Sequence, residues 1–296
     1  MPIPESQLTT WSKVGAIATA KSTHEAVERV LRRHGPSVDY EIFLQGSYRN
    51  STNIYGDSDV DIVVQLNSTF RYDLSSLDSG QQAAFHRAYP TAAAYRWKDF
   101  RRDVLSALVT GFAPGSVTEG AKCLKIAGGN GRLPCDVVPC LDYRHYKSFT
   151  GVGPEDAIHG ITFWSQPDGR QIVNFPKPHY DNGVTKHKNT SQRFKPVVRM
   201  LKNARNAAVR RGHLADGTAP SYFEECFVYN APPSTFSGSY GDSFCNVVNW
   251  WANNDLTYLD CQNEVTLLFG NTPEQWSEPS AKQLITGLTS LWNNWS

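Results

Sequence analysis

Within residues 6–34, Leu8, Trp11, Val14, Ile17 and Ala18 recur at helical spacing, and so do Ala26, Val27, Val30 and Leu31. The segment is therefore expected to be helical, in one or two pieces. Ser22-Thr23-His24-Glu25 resembles a capping box ahead of the second run, and Gly35-Pro36 stops it. The period then drops to two. Residues 41–45 and 59–66 read as strands, residues 67–80 as polar loop, and residues 81–109 as helix interrupted near Pro90. Residues 116–126 and 133–138 are expected to form a hairpin joined by Gly128-Gly129-Asn130-Gly131. Residues 161–165 and 170–174 make a second hairpin around Pro167-Asp168-Gly169. Residues 175–190, rich in Pro, Asn and His, read as loop. From Ser191 onward Phe194, Val197, Val198, Leu201 and Ala204 or Arg205 define an amphipathic helix, and helical or turn-rich sequence continues to the C-terminus. The pattern is that of an α+β chain, with a mixed-sheet lobe over residues 1–180 and a helical lobe over residues 181–296.

One stretch carries more chemistry than the rest: Gln45-Gly46-Ser47-Tyr48-Arg49-Asn50-Ser51-Thr52, followed by Asp57-Ser58-Asp59-Val60-Asp61-Ile62-Val63-Val64. Side chains alternate along a strand, so Asp59 and Asp61 face one way with Cα atoms about 7 Å apart, while Val60 and Ile62 turn to the core. Gly46 and Ser47 form a turn that opens a short helix, where backbone N–H groups and a hydroxyl suit a phosphate. Nucleotidyl transfer is the in-line attack of a hydroxyl on an α-phosphate, and two Mg²⁺ ions about 3.5–4 Å apart can clamp the attacking and leaving oxygens. Mg²⁺ takes hard oxygen ligands and leaves positions for water and phosphate. Asp136, single among the apolar residues of Pro134-Cys135-Asp136-Val137-Val138, is the candidate third acid. An isolated D-x-D strand is most often a solvated face and an isolated Gly-Ser a mere turn; together, with Asp136, they point to a metal site. Asp57 is out of the alternating face and is expected to support the turn.

Charge narrows the substrate. Lys+Arg of 29 against Asp+Glu of 28 leaves a net +1, without the basic excess that a long duplex nucleic acid as an obligatory partner would demand. Small nucleotides need only a local cluster of cations. No apolar run approaches the roughly 20 residues of a membrane span, and Met1-Pro2-Ile3-Pro4-Glu5-Ser6 lacks the layout of a secretory signal. The six cysteines are scattered without a C-x-x-C pair and read as reduced, buried thiols in a cytoplasm; Cys135 and Cys140 lack the second pair that a zinc site needs. Neither a Walker-type phosphate loop nor a Ser-His-Asp or Cys-His grouping stands out.

Gln45-Gly46-Ser47 with Asp59, Asp61 and Asp136 resembles the DNA polymerase β-like nucleotidyltransferase superfamily. The fuller wording of residues 45–64 is similar to the bacterial cGAS/DncV-like nucleotidyltransferases (CD-NTases), above all their E-type branch. The resemblance continues through Ile172-Val173-Asn174-Phe175-Pro176, His179-Tyr180-Asp181-Asn182-Gly183, residues 194–203 and Pro220-Ser221-Tyr222-Phe223-Glu224-Glu225. It covers residues 40–232. It implies a polymerase β-like catalytic lobe packed on a C-terminal helical lobe, a cage with nucleotides between the lobes, and the making of cyclic oligonucleotide signals in anti-phage defence. By the same resemblance Asp59, Asp61 and Asp136 hold Mg²⁺ (or Mn²⁺). Gln45, Gly46, Ser47, Lys202 and Ser221 hold a donor triphosphate. Tyr222 stacks on a base, which contributes about 1–3 kcal/mol whatever the base.

Asn174 sits where the family places a residue reading the base edge, and an Asn amide can satisfy both the acceptor and the N–H of uracil. Asn182 is the rival for that role. The substrates expected are nucleoside triphosphates, UTP foremost with ATP, and the product a cyclic dinucleotide such as cyclic di-UMP or cyclic UMP-AMP, with pyrophosphate released. The chain is expected to act as a monomer whose product is read by a separate effector protein. Two alternatives stand beside this reading. One is the same chemistry on RNA, a small molecule or a protein acceptor; the other is an inactive nucleotide-binding scaffold, against which the presence of all three acids weighs.

Overall fold

The fold is described from a computed structural model that covers residues 1–15, 17–56, 59–151 and 155–295. Its strands are β1 (Tyr40–Leu44), β2 (Val60–Asp73), β3 (Val117–Glu119), β4 (Leu124–Ile126), β5 (Cys135–Ser148), β6 (Asp156–Trp164) and β7 (Gln171–Asn174). The helices are α1 (Glu5–Trp11), α2 (Ala18–His34), α3 (Gly46–Asn50), α4 (Ser79–Ala88), α5 (Trp97–Gly111), α6 (Pro176–Asn189), α7 (Phe194–Arg210), α8 (Ser221–Asn230), α9 (Tyr240–Asn253) and α10 (Glu278–Asn293). The α+β expectation holds. Contacts divide the chain into two compact units, one of Ala18–Gln45 with Ser58–Pro176, the other of Met1–Ile17, Gly46–Asp57 and Lys177–Ser296.

The first unit is a mixed sheet. β1 is antiparallel to β2, and β2 is parallel to β5 over most of its length. The free edge of β5 is shared, its first residues pairing with β4 and its last with β6, and β7 closes on β6. Val60, Ile62, Val64 and Leu66 of β2 are wholly buried, as the period-two pattern requires. Helix α2 turns Ala20, Thr23, Val27 and Leu31 inward, one helical stripe. Trp97, at the head of α5, donates its indole N–H to the Pro139 carbonyl on β5 (2.7 Å).

The second unit is helical. Leu8 and Trp11 of α1 join Phe194, Val198 and Leu201 of α7, Phe227 of α8, Trp251 of α9 and Leu284 and Leu288 of α10 in one apolar core. Phe227 and Trp251 stack with ring centroids 4.1 Å apart. Helix α9 starts on a reciprocal cap between Ser239 and Asp242.

Several local expectations are corrected. Residues 22–25 are not a helix start but lie inside α2, where the Thr23 hydroxyl bonds the Thr19 carbonyl one turn back. Residues 67–73 continue β2 past an irregularity between Leu66 and Phe70, because Phe70 and Tyr72 have ring partners waiting: Tyr72 packs on Phe85 of α4 at 4.5 Å. Residues 116–126 are themselves a hairpin, β3 with β4, before β4 pairs with β5. The Pro-rich stretch 175–190 forms α6. Pro176 opens the helix, where its missing N–H costs nothing. Gly183 fits inside it because a Cβ there would stand 2.4 Å from Gln262 Nε2.

Candidate active site

The parallel pairing of β2 with β5 sets Asp61 directly beside Asp136. The antiparallel pairing of β5 with β4 sets Lys125 beside Asp136 in turn. At the other side, the Gln45 N–H donates to the Asp61 carbonyl (3.0 Å). A row therefore crosses the sheet through Gln45, Asp61, Asp136 and Lys125. Asp61 and Asp136 are half-buried, and Asp59, just before β2, is exposed. Burial and the hydrogen-bonded Asp136 carboxylate push the Cys123 thiol up to about 12, so it stays a neutral donor to that acid. Asp57 lies outside the described residues. Sequence reading missed Lys125, although the Gly-rich turn that closes the hairpin already set its register against Asp136.

The donor chemistry fits Mg²⁺. Among the described residues no three His, Cys, Asp or Glu side chains stand together as a ready cage. Mg²⁺ does not need one, since it binds through one or two carboxylates and keeps water and substrate phosphates as its other ligands. A half-exposed pair of acids in register on adjacent strands, with Asp59 before them, is such a donor set. Cys135 and Cys140 are buried free thiols.

In the helical unit the Gly46–Ser47 turn opens α3. Gly46 has φ +65°, the left-handed region that glycine enters without a Cβ penalty. The Ser47 carbonyl accepts the Thr52 N–H (2.9 Å), folding the segment back on itself. Ser221 begins α8, and its Oγ accepts from Arg205 (3.2 Å), which leaves the hydroxyl proton to donate elsewhere. Tyr222 exposes 45% of its surface. That exposed part is ring: its hydroxyl points inward to the Cys226 and Cys261 thiols, and burial with these partners holds the phenol well above its usual range. The Tyr222 ring stacks on His179, centroids 5.5 Å apart and planes 23° off parallel.

Lys202, expected to reach a triphosphate, is only 1% exposed. Its ammonium is committed inside the unit, to Glu225 Oε2 (3.0 Å) and the Thr52 carbonyl (3.3 Å). The same Glu225 accepts from Asn50 Nδ2 (3.2 Å), Thr52 Oγ1 (2.6 Å) and His179 Nε2 (3.2 Å). Sequence reading missed this acid, though Glu224-Glu225 ahead of the apolar run Cys226-Phe227-Val228 was the signal available. It also missed a cationic group: Arg49 and Lys195 lie over the Tyr180 ring at 4.3 and 5.5 Å. Burial lowers the Lys195 ammonium, Glu225 opposes that shift, and Arg199 and Arg49 add to it.

Asn174 ends β7 and pairs with Ile161 on β6, its side chain half-buried. Asn182, the rival base reader, lies on α6 and donates its amide to the Gln262 carbonyl (3.0 Å).

Residues 24–103 match the nucleotidyltransferase domain model, and residues 181–293 match the model of the cGAS/DncV-like nucleotidyltransferase C-terminal helical domain. The chain is 45% identical to the cyclic UMP-AMP synthase of Rhodothermus marinus over 296 residues, 100% of this chain and 99% of the relative. The solved structure of R. marinus CdnE c-UMP-AMP synthase with Apcpp and Upnpp superposes with a TM-score of 0.90, covering 100% of this chain and 98% of that one. A cyclic dipurine nucleotide synthase of Elizabethkingia meningoseptica is 35% identical over 253 residues, 84% of each chain.

Proposed function

The chain belongs to the cGAS/DncV-like nucleotidyltransferases, and from that premise we propose that it joins two nucleoside triphosphates into a cyclic dinucleotide, UTP with ATP into cyclic UMP-AMP or two UTP into cyclic di-UMP, with release of pyrophosphate. The observation that carries the reading is the register of Asp61 against Asp136 on parallel strands, with the Gly46 turn following β1 directly in the chain.

Asp59, Asp61 and Asp136 hold Mg²⁺, or Mn²⁺ in its place. When bound, the ion supplies Lewis-acid polarisation of the phosphoryl group and a more acidic attacking hydroxyl. Ser47 and Ser221 donate their hydroxyls to the triphosphate, and Arg205 behind Ser221 fixes which way that hydroxyl points. Gln45 is tied to the Asp61 carbonyl beside the acids, and Gly46 gives the turn its left-handed start. Arg49 and Lys195 offer the positive charge that four phosphate oxygens' worth of negative charge requires, and Lys202 supports the site from beneath through Thr52 and Glu225. Tyr222 offers a ring face to a base, and His179 backs that ring.

Attack of a ribose hydroxyl of one nucleotide on the α-phosphate of the other forms the first phosphodiester and breaks the bond to pyrophosphate. A second attack closes the ring. In this reading residues 1–180 carry the transfer chemistry with part of the phosphate and base contacts, and residues 181–296 add Lys195, Ser221 and Tyr222. Asn174 reads the uracil edge through its paired donor and acceptor. The commitment of the Asn182 amide to Gln262 favours Asn174 for the role.

The test is direct. The purified protein is incubated with each labelled NTP and with mixtures, with Mg²⁺ or Mn²⁺, then treated with phosphatase and resolved by chromatography and mass. A phosphatase-resistant product containing uridine is expected. Its absence from every mixture would end the synthase reading, and equal product from ATP alone would end the role of Asn174.

A further inference from the structure

We propose that Glu225 is a positioning residue whose buried carboxylate locks the Gly46–Thr52 segment and the Tyr222 platform into one rigid nucleotide-binding frame. The inference rests on the reading of that unit as a nucleoside triphosphate site and names what holds the site in shape.

The geometry is unusually complete for a carboxylate. Glu225 is 3% exposed and takes donors on both oxygens, Asn50 and His179 on Oε1, Thr52 and Lys202 on Oε2. Four donors fill the acceptor sites of an ionised carboxylate. These donors come from separate pieces of chain: the last residue of α3, the residue two beyond it, α6 and α7. Glu225 itself stands one turn beyond Ser221 and Tyr222 on α8, so it shares their helix face.

Each link leads to a candidate substrate contact. Thr52 donates its hydroxyl to Glu225 and its N–H to the Ser47 carbonyl, and its own carbonyl accepts from Lys202. The position of the Ser47 turn is thereby referred to Glu225 through one residue. His179 presents one ring edge to Glu225 and one ring face to Tyr222. A carboxylate only accepts, so the ring proton is on Nε2, and Nδ1 is buried without a hydrogen-bond partner among the described residues. The tilt of the stacking platform is thereby referred to the same carboxylate. A buried ion pair is weak evidence for stability and is better explained as a device that selects one geometry. Here the geometry selected is that of the phosphate turn relative to the base platform.

Thr52→Val removes one link with little change of shape. The pair Glu225→Gln with Lys202→Met removes both charges together, so that no lone ion is left buried. His179→Phe keeps a ring under Tyr222 and cuts its tie to Glu225. Each is measured for thermal midpoint, for Kd of an α,β-nonhydrolysable UTP analogue by calorimetry, and for KM and kcat in the product assay. For Thr52→Val and for the double variant we expect a midpoint close to wild type, with Kd and KM raised about 10- to 100-fold, the cost of misplacing a bound group by an ångström. His179→Phe is expected to raise KM less, and to leave kcat nearly unchanged. Wild-type Kd and KM in both Thr52→Val and the double variant would overturn the inference, whatever their midpoints. If the wild type binds the analogue yet makes no cyclic product, the synthase reading falls while the Kd comparison still decides this one. A wild type that binds no nucleotide would overturn both.

Discussion

Two sets of carboxylates in this molecule are treated in opposite ways. In the sheet unit Asp61 and Asp136 stand side by side, half open to solvent, like charge next to like charge. In the helical unit Glu225 is sealed from water and saturated with donors. An acid proposed to take a cation from solution has to remain accessible. An acid meant to hold protein in place needs its partners built in. The Lys202 ammonium and the bond from His179 hold the Glu225 carboxyl far below the ordinary carboxylate range, despite burial that pushes the other way. Exposure and saturation thus separate the acids proposed for chemistry from the one proposed for positioning, where residue type does not.

The largest effect tests the first half of that contrast. On the proposed metal reading, Asp61→Asn or Asp136→Asn is expected to lower product formation about a thousandfold or more, since several kcal/mol of transition-state stabilisation would go with the ion. Without metal the same variants should melt close to the wild-type temperature, because both acids are half open to solvent rather than sealed among built-in donors. A midpoint several degrees lower would place these acids with the structural ones. The second half predicts the reverse balance. Glu225→Ala leaves Lys202 buried without its counter-charge, and chemical denaturation should show a loss of about 3–5 kcal/mol. A loss below about 1 kcal/mol, within the range of ordinary surface substitutions and surface ion pairs, would refute the saturated-acid account.

Smaller effects belong to the contacts on either side. Tyr222→Ala removes a stacking face worth about 1–3 kcal/mol, so KM for the stacked nucleotide should rise by about one order of magnitude while kcat changes little. A fall in kcat with unchanged KM would assign Tyr222 to the chemical step instead. Asn174→Ala should cost about thirtyfold in preference for UTP over ATP, the worth of two hydrogen bonds at roughly 1 kcal/mol each. Unaltered preference, measured with equal concentrations of both nucleotides, would move base reading elsewhere.

Much of this was legible in the residues alone, for definite reasons. The period of two in residues 59–66 set Asp61 apart from the buried Val60 and Ile62, although the strand begins only at Val60 and leaves Asp59 before it, and the lone acid among the apolar residues of 134–138 marked the neighbouring strand. Pairing between those strands is what the sequence could not supply, because register depends on which distant segments meet. Lys125 went unseen for another reason: its hairpin was expected with residues 116–126 as a single strand, so the local register against Asp136 was not followed residue by residue. The Pro-, Asn- and His-rich composition of residues 175–190 suggested a loop. Tertiary packing overrode it, with Pro176 harmless in the first turn and Gly183 needed for the approach of Gln262. Lys202 looked like a solvent-facing or phosphate-binding lysine on an amphipathic helix. Its burial depends on Glu225, which lies on another helix, so helical periodicity alone could not reveal it.

The cationic side of the helical unit yields the smallest effect and a further check on the contrast. His187 is half-buried, its Nδ1 accepts the Lys195 N–H (3.4 Å), and burial with the nearby Lys195 and Arg199 charges lowers it from 6.5 to about 4. The unfolded chain therefore binds a proton that the folded chain refuses between about pH 6.5 and 4. Stability from this group is fully present above pH 6.5 and is lost as pH falls towards 4, by about 1–2 kcal/mol after allowance for solvent screening. Urea titrations at pH 7.5, 6 and 5 should show His187→Gln losing less stability on acidification than wild type, and identical slopes would refute the assignment. The triphosphate analogue should shrink that difference, because phosphate charge beside Lys195 offsets part of the repulsion that adds to burial in keeping His187 neutral. If the analogue binds and the difference stays the same, its phosphates are not held by Lys195, and the positive charge proposed for the site must come from other residues.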